Sequence, residues 1–294
     1  MLDSTAGAVS KNDSLRSVTT ASDLWAALAA WRSTGLRIGF VPTMGALHAG
    51  HLALVGTARS RTDRVVVSIF VNPKQFGPAE DFERYPRDLA ADRARLEEAG
   101  ADLLFAPTVD EMYPPGFATS VHVAGVSEGM EGARRPGHFD GVATVVARLF
   151  GLVRPDVSVF GAKDGQQAAV IRRLARDLGF PMEVIVAETV REPDGLAMSS
   201  RNAFLTPAER LCAPGLFRAL LAARLVYELG ERKGRSILGL ARTAIEAEPA
   251  FRLDALDLVD AESMQPVQSV ERPVMLAAAV FLGKTRLIDN IRFG

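Results

Sequence analysis

The stretch Val41–Val55, VPTMGALHAGHLALV, decides the fold predicted for this chain. A short apolar run, Leu36–Val41 (LRIGFV), leads into it and predicts a buried strand, whereas the apolar pattern that ends it predicts a helix. The Pro, Gly and His residues between them predict a tight turn and a helix start. His48 and His51 stand three residues apart, so both imidazoles are expected on one face at the N-terminus of that helix.

A helix start of this kind suits a phosphate group. It offers free backbone N–H groups and the positive end of the helix dipole. The hypothesis is therefore a nucleoside triphosphate site. A single histidine beside a glycine is usually a helix cap or a surface residue, and two in one turn after a buried strand weaken that reading. A zinc site is the weaker alternative, because the chain has four His and one Cys in all.

Length and composition narrow the class of protein. The 294 residues are enough for one large or two ordinary domains, and 48% hydrophobic with 23% charged residues is typical of a soluble globular chain. A net charge of −1 gives none of the excess positive charge that is typical of proteins that bind nucleic acid. No apolar run is long enough to predict a membrane span, so neither a membrane nor a nucleic acid is expected as a partner.

The cysteine content and the N-terminus bear on the compartment. Cys212 is the only cysteine, so no intramolecular disulfide can form, and a reducing, cytoplasmic location is expected. Its apolar neighbours predict a buried or helix-surface thiol rather than a nucleophile. The Ser-rich N-terminus has no apolar core and is not expected to be a signal peptide. Residues 1–20 are predicted to be a disordered tail.

Polar residues follow a second buried strand. Val65–Val71 (VVVSIFV) is almost wholly apolar, as in a parallel strand covered on both faces. Asn72–Gly77 (NPKQFG) comes next, at the carboxyl end of the strand, where open α/β sheets bind ligands. The amide of Gln75 could recognise a hydroxyl or a carboxylate. A solvent-facing Gln75 is about equally compatible with the pattern.

The same order of strand, glycine, polar residues and helix recurs at Phe160–Gln167 (FGAKDGQQ). Lys163 would supply a mobile cation for phosphate. Asp164 could accept from ribose hydroxyls or hold a metal, and Gln167 could point back into a cleft. A lone Lys–Asp pair is usually a surface pair, but the repeated pattern favours a ligand site.

Further candidates lie in loops. Ser199, Ser200 and Arg201 stand together and could hold phosphate oxygens by charge-assisted hydrogen bonds. Arg134 and Arg135 in a Gly- and Pro-rich loop, 131–142, could clamp an anion or be solvated charges. A strand-like patch is predicted at Ser120–Val123, with His122 on its surface. The helices predicted from periodicity are Ser22–Trp31, Arg87–Ala99, Ala143–Val153, Ala168–Leu178, Ala208–Leu229 and Ile237–Ala247.

The motifs PTMGALHAGH, FVNPKQF, RPGHFDGV, GAKDGQQ and MSSRN occur in unbroken order between Leu36 and Leu205. Together they closely resemble the pantoate–β-alanine ligase (pantothenate synthetase) family of the HIGH-motif nucleotidyltransferase superfamily. The resemblance implies an α/β fold with a Rossmann-like, doubly wound parallel sheet in residues 21–189. It also implies a smaller α+β lid domain in residues 190–294, and the composition changes after Thr206–Pro207.

The resemblance also implies an activity: ATP-dependent condensation of pantoate with β-alanine through a pantoyl-adenylate, giving pantothenate, AMP and pyrophosphate. A homodimer is implied as well, with Mg²⁺ held mainly by the ATP phosphates. Gln75 and Gln167 would bind pantoate, Gln75 would also contact β-alanine, and Arg135 would lie at the cleft or subunit edge. The implied ATP-binding residues are Met44, Gly45, Ala46, Leu47, His48, Ala49, Gly50, His51, Gly161, Ala162, Lys163, Asp164, Val190, Met198, Ser199, Ser200 and Arg201. The implied catalytic residues are His48, His51 (the acid), Lys163, Ser199, Ser200 and Arg201.

Two positions depart from the family pattern. Ala162 stands where the family usually has Glu, and Gly165 where it usually has Tyr. Glycine near a helix start loosens the backbone, so weaker affinity or altered lid packing is expected beside Lys163. Two alternatives therefore stay open: another nucleotidyltransferase that leaves the nucleotide on its product, and a nucleotide-binding module without catalysis.

Overall fold

A computed structural model describes residues 15–77, 82–83 and 85–294. In this part of the chain, six parallel strands form the larger sheet, in the order β1-β4-β3-β2-β5-β6. Three antiparallel strands form the smaller one, in the order β7-β8-β9. The strands are β1 (Arg16–Val18), β2 (Ile38–Thr43), β3 (Arg64–Ile69), β4 (Leu103–Phe105), β5 (Val157–Gly161), β6 (Glu183–Ala187), β7 (Phe251–Asp260), β8 (Val274–Leu282) and β9 (Thr285–Phe293).

Helices connect these strands and cover both faces of the larger sheet. They are α1 (Ala21–Ser33), α2 (Ala49–Arg59), α3 (Leu89–Glu98), α4 (Val109–Met112), α5 (Met130–Arg134), α6 (His138–Val153), α7 (Gly165–Asp177), α8 (Pro207–Cys212), α9 (Gly215–Glu228) and α10 (Gly234–Glu246). Short 3₁₀ turns lie at Pro73–Gln75, Ala162–Asp164 and Ser200–Phe204.

Alternation along the strands explains the two covered faces. Val66 packs in a core with α1, α6 and α7, whereas Val65 and Val67 pack in a second core with α2 and α3. Successive strand residues point to opposite faces of a sheet, so each strand contributes to both cores. This is the doubly wound α/β architecture that was predicted, and it is confirmed.

The strand order fixes where a cleft can form. From β2 the chain winds outward through β3 and β4, then returns to place β5 on the other side of β2. The direction of winding reverses between β2 and β5, and ligand crevices of open α/β sheets lie at the carboxyl ends of such strands. The two strongest sequence motifs follow β2 and β5 directly.

The smaller sheet packs against α8, α9 and α10 around a core of its own, which includes Leu220, Ile237 and Leu276. Ion pairs join this sheet to other parts of the chain, and two of them involve β9. Arg286 of β9 contacts Glu131 of α5 at 2.6 Å, and Asp289 of β9 contacts Arg191 at 2.7 Å. The α+β C-terminal domain is thus confirmed as a fold, while its boundary at residue 190 stays a prediction.

The N-terminal tail and one predicted helix need correction. Residues 1–14 lie outside the described residues, but Leu15 is buried and Arg16–Val18 pair with β4 as an edge strand, so 15–20 is ordered. The single helix predicted over Ala208–Leu229 is two helices, α8 and α9, separated at Pro214. Proline lacks the N–H that a continuous helix needs.

The segment between β4 and α6 also differs from prediction. Ser120–Val123 is not a strand, because the Val121 amide donates to the Thr144 hydroxyl of α6 instead of to a neighbouring strand. His122 is exposed and contacts Asp140 at 2.8 Å. Most of the predicted loop 131–142 is helical, since it contains residues 131–134 of α5 and residues 138–142 of α6.

Candidate active site

The two histidines of the opening motif cap the same helix. His48 is the N-cap of α2, and its Nδ1 accepts from the Gly50 amide at 3.1 Å. His51 Nδ1 accepts from the His48 amide at 3.3 Å, and the two ring centroids are 4.1 Å apart. The capping role of both histidines is therefore confirmed, and their role in ligand binding stays a prediction. With each Nδ1 an acceptor, a neutral ring carries its proton on Nε2.

Burial keeps both rings neutral. Burial lowers the pKa of His48. The positive charge of Lys163 lowers it further, while the negative charge of Asp164 acts in the opposite direction. Burial and the neighbouring His48 lower the pKa of His51 to about 3. In the protein without ligand, each ring is thus a neutral Nε2–H donor at physiological pH, suited to donating a hydrogen bond rather than a proton.

A buried carboxylate that sequence reasoning missed holds the turn before these histidines. Asp92 of α3 is 1% exposed and accepts from the amides of Ala46 and Leu47, both at 2.8 Å. Gly45 and Ala46 have φ of 87° and 51°, in the left-handed region that a residue with a side chain seldom adopts. The two hydrogen bonds stabilise this conformation and direct the chain into α2.

The second motif forms a short turn at the carboxyl end of β5. Lys163 lies in the 3₁₀ turn Ala162–Asp164, and its Nζ is 3.6 Å from an Asp164 oxygen. Half of the Asp164 side chain is open to the cleft. Loss of water contacts around the carboxyl group would raise the pKa of Asp164, but the positive charges of Lys163 and Arg201 outweigh this effect and lower the pKa. The turn thus presents a cation and an ionised carboxylate.

The third motif, Met198–Asn202, also contributes to the cleft, through Met198, Ser199, Ser200 and Arg201. The Ser199 hydroxyl caps the 3₁₀ turn by accepting from the Arg201 amide at 3.2 Å. Tyr85, which sequence reasoning did not identify, lies beside it. Burial raises the pKa of the Tyr85 hydroxyl, although Arg201 and a hydrogen bond with Ser200 act against the rise.

Gln75 is held in place rather than facing solvent. It is 8% exposed, its Oε1 accepts from Asn72 at 3.1 Å, and its Nε2 lies 3.1 Å from the Met44 sulfur. Asn72 is itself buried and donates to the Gly141 carbonyl. The backbone carbonyl of Gln75 contacts His138 Nδ1 at 2.8 Å.

A single cleft of about 260 Å³ brings these segments together. Its lining includes apolar side chains, among them Val142 and Val146 of α6 and Phe70, which follows β3. The predicted residues that line this cleft are Met44, His48, Gly50, His51, Gln75, Arg135, Gly161, Lys163, Asp164, Gln167, Val190, Met198, Ser199, Ser200 and Arg201.

Other predicted residues do not line the cleft. Gly45, Ala46, Leu47, Ala49 and Ala162 are absent from its walls. The Leu47 side chain is buried in the core with α2 and α3, and the amides of Ala46 and Leu47 are already bonded to Asp92. Ala46 and Leu47 thus stabilise the turn before α2 and do not contact the cleft. Arg134, the predicted anion-binding alternative, does not line the cleft either and pairs with Asp257 at 3.5 Å.

Two further supporting side chains come from distant parts of the sequence. Gln166 is buried and holds the segment before α5 through the carbonyls of Val126 and Gly129 and the amide of Glu131. Asn290 of β9 donates to the carbonyls of Ala162 and Lys163. No local sequence pattern could have predicted the contacts of Gln166 or of Asn290.

The Gly165 departure from the family pattern has a packing explanation. A Cβ at Gly165 would overlap the Met275 sulfur of β8, and Met275 is 1% exposed. The space beside the start of α7 is therefore filled by a side chain from the smaller sheet.

The structure also bears on metal and membrane hypotheses. Nowhere in the described part of the chain do three or more His, Cys, Asp or Glu side chains group closely enough to hold a metal ion. Across residues 15–77, 82–83 and 85–294, no helix has the length and apolarity needed to cross a membrane. Cys212 is partly buried and packs beside the smaller sheet's core, as predicted.

The fold and the cleft define a class: doubly wound α/β proteins whose ligand site lies where the strand order reverses. The sequence profile of the pantoate–β-alanine ligase family matches residues 16–292. The chain therefore belongs to the pantoate–β-alanine ligase family. It is an enzyme, a ligase of pantothenate biosynthesis, and the resemblance predicted from the motifs is confirmed.

Individual relatives are similar over nearly the whole chain. The pantothenate synthetase of Moorella thermoacetica is 53% identical, covering 90% of this chain and 93% of its own. That of Pseudomonas fluorescens is 52% identical, covering 94% and 97%. The crystal structure of the Thermus thermophilus pantothenate synthetase has a TM-score of 0.88 at 53% identity, covering 94% and 99%. The Francisella tularensis ligase, solved in complex with β,γ-ATP and β-alanine, has a TM-score of 0.77 at 31% identity, covering 94% and 97%.

Proposed function

We propose that this enzyme forms pantothenate in two steps, activating pantoate with ATP and then transferring the pantoyl group to β-alanine. The observation that carries the proposal is the content of one cleft. The cleft is lined by cationic side chains, hydroxyls and the N-terminus of α2, and also by Gln75, Gln167 and apolar side chains of α6. That is a polyphosphate site joined to a site for a small branched hydroxy acid.

The phosphates of ATP would lie at the start of α2. His48 and His51 donate through Nε2–H, and Lys163 and Arg201 neutralise the charge that develops as pyrophosphate leaves. Ser199 and Ser200 add hydroxyl donors. The Francisella tularensis relative, in complex with β,γ-ATP and β-alanine, supports this choice of ligands.

Pantoate would lie between the glutamines and the apolar side chains of α6. Its two hydroxyls and carboxylate need polar partners, which Gln75 and Gln167 supply, and its dimethyl carbon needs an apolar surface such as Val142 and Val146. A carboxylate oxygen then attacks the α-phosphorus, and the bond to the β-phosphate oxygen breaks. Pyrophosphate leaves with that electron pair, so a pantoyl-adenylate forms without an enzyme nucleophile.

The second step joins the amine. The free-base nitrogen of β-alanine attacks the acyl carbon, the bond from that carbon to the AMP oxygen breaks, and the nitrogen loses a proton. Gln75 would contact β-alanine as well as pantoate. Positioning supplies most of the rate, and closure by residues 190–294 as a lid would protect the adenylate from water.

Mg²⁺ would arrive with ATP. The described residues offer no three-ligand metal site of their own, and the cleft has two carboxylates, Asp164 and Glu188. The ion would neutralise phosphate charge, which is the chemistry it prefers. A homodimer and a cytoplasmic location complete the proposal.

The test is incubation with ATP, pantoate and β-alanine, measuring AMP, pyrophosphate and pantothenate. Equal amounts of all three are expected. Pyrophosphate with the nucleotide retained on the product would indicate a nucleotidyltransferase of another kind, and ATP binding with no pyrophosphate would indicate a non-catalytic module. Either result overturns the proposal.

Variants then test the roles. Lys163→Ala and His51→Ala should each lower kcat by on the order of a hundredfold, as loss of a preorganised donor does. Lys284→Ala, an exposed lysine in the β8–β9 turn, should leave kcat unchanged. Near-normal synthesis by either cleft variant would remove that residue's assigned role.

A further inference from the structure

The turn that carries Lys163 has few contacts that fix it locally. Ala162–Asp164 is a three-residue 3₁₀ turn, and no side chain caps it. Gly165, which follows, has no Cβ that could pack on a neighbour. The position of a lysine on such a turn depends on contacts from elsewhere in the chain.

Asn290 of β9 provides those contacts. Its Nδ2 donates to the Ala162 carbonyl at 2.9 Å and to the Lys163 carbonyl at 2.8 Å. Both partners are acceptors, so the amide nitrogen must face the turn, and both of its hydrogens are used. The side chain is 7% exposed, so water does not compete freely for these carbonyls.

Asn290 is in turn fixed by its neighbour. The backbone N–H of Asn290 donates to Asp289 Oδ1 at 2.8 Å. Asp289 in turn forms a bidentate ion pair with Arg191, at 2.7 and 2.9 Å. Arg191 stacks on Phe217, 3.5 Å from the ring centroid. Bidentate Arg–carboxylate pairs are geometrically strict, so the strand end that carries Asn290 is held rigidly.

We propose that Asn290 is a positioning residue for Lys163, so that the smaller sheet sets the geometry of the phosphate-binding lysine. Asn290 is not among the residues that line the cleft. It acts through the two carbonyls, and its removal would free the turn to move by the fraction of an ångström that catalysis does not tolerate. The inference rests on the proposed function, in which Lys163 stabilises the leaving pyrophosphate.

A double-mutant cycle tests this directly. The rate of pantoate-dependent pyrophosphate release is measured in the full-length protein for Asn290→Ala, Lys163→Ala and the pair. Asn290→Ala alone should lower kcat about tenfold, with little change in KM for pantoate. In the Lys163→Ala background, the same substitution should lower kcat by less than about twofold, because its effect passes through the lysine.

Two further variants separate positioning from general destabilisation. Asn290→Asp keeps the shape but replaces both donors with a carboxylate facing two carbonyls, so it should lower kcat at least as much as Asn290→Ala. Ile291→Ala removes a buried neighbour in the core of the smaller sheet, away from the cleft. It should lower the free energy of unfolding while leaving kcat within about twofold.

An equal loss for Asn290→Ala in both backgrounds would overturn the proposal, as would a similar loss from Ile291→Ala. Failure of the proposed function would look different, because the unmodified protein would then release no pyrophosphate with pantoate and ATP.

Discussion

Replacing Asp92 should damage both stability and catalysis, although this residue is remote from the cleft surface. Its carboxylate is 1% exposed and accepts from the Ala46 and Leu47 amides at 2.8 Å each. Hydrogen bonds to charged groups contribute about 1.5–3 kcal/mol each, and a buried N–H left unpaired costs a similar amount. Relaxation of Ala46 from its left-handed φ would recover about 1 kcal/mol. Asp92→Ala should therefore lower the free energy of unfolding by about 3 kcal/mol.

The assay is urea unfolding combined with steady-state kinetics. Because the turn aims His48 and His51 into the cleft, kcat should fall about tenfold or more even where the variant is fully folded. Glu98→Ala, at an exposed position on the same helix, is the matched control and should change the free energy of unfolding by less than about 0.5 kcal/mol. A loss below about 1 kcal/mol for Asp92→Ala with normal kcat would refute the reasoning.

Three shorter predictions follow. Gln75→Ala should raise KM for pantoate about tenfold or more and KM for ATP less than about twofold, and equal rises would contradict its role. The pKa of His51 is lowered to about 3 in the folded protein. Below pH 6.5 the unfolded chain therefore binds a proton at His51 that the folded protein does not, and acid destabilises the fold. The free energy of unfolding should fall by about 2–3 kcal/mol from this group between pH 6.5 and 4.5, and His51→Gln should flatten that slope in urea titrations at each pH. Gly165→Ala should cost about 1–2 kcal/mol by crowding the Met275 sulfur, whereas Gly151→Ala, with open space around it in α6, should be neutral or stabilising; the reverse order would argue against the packing explanation.

The cleft was largely predictable because its main parts are local motifs. The histidine and lysine turns each begin where a buried apolar strand ends, and parallel strands place their carboxyl ends on one edge of the sheet. The histidine turn after β2 and the lysine turn after β5 could therefore be expected at one edge of the sheet, although it is the structure that shows β2 and β5 to be neighbours. The family resemblance then supplied the particular reaction.

The supporting side chains could not be found this way. Asp92 lies 45 and 46 residues from the amides it binds, and Asn290 lies 127 and 128 residues from its carbonyls. No periodicity links such positions. A buried Asp in an otherwise polar helix also looks, in sequence, like any surface Asp.

Other misses had different causes. The edge strand Arg16–Val18 has three residues, too few to show alternation, and it was read as part of a polar tail. The break between α8 and α9 did have a signal, Pro214, but the helical composition on both sides masked it.

The contact between Asn290 and the lysine turn has a consequence for biosynthesis. During translation, Lys163 leaves the ribosome 127 residues before Asn290. At about 5–20 residues per second, this is a delay of roughly 6–25 s. The larger sheet is complete by residue 187, so it can form while the turn at its centre still lacks its distant partner. A nascent chain can therefore form the larger sheet before Val259, Met264 and Met275 complete its core and before its lysine reaches working geometry.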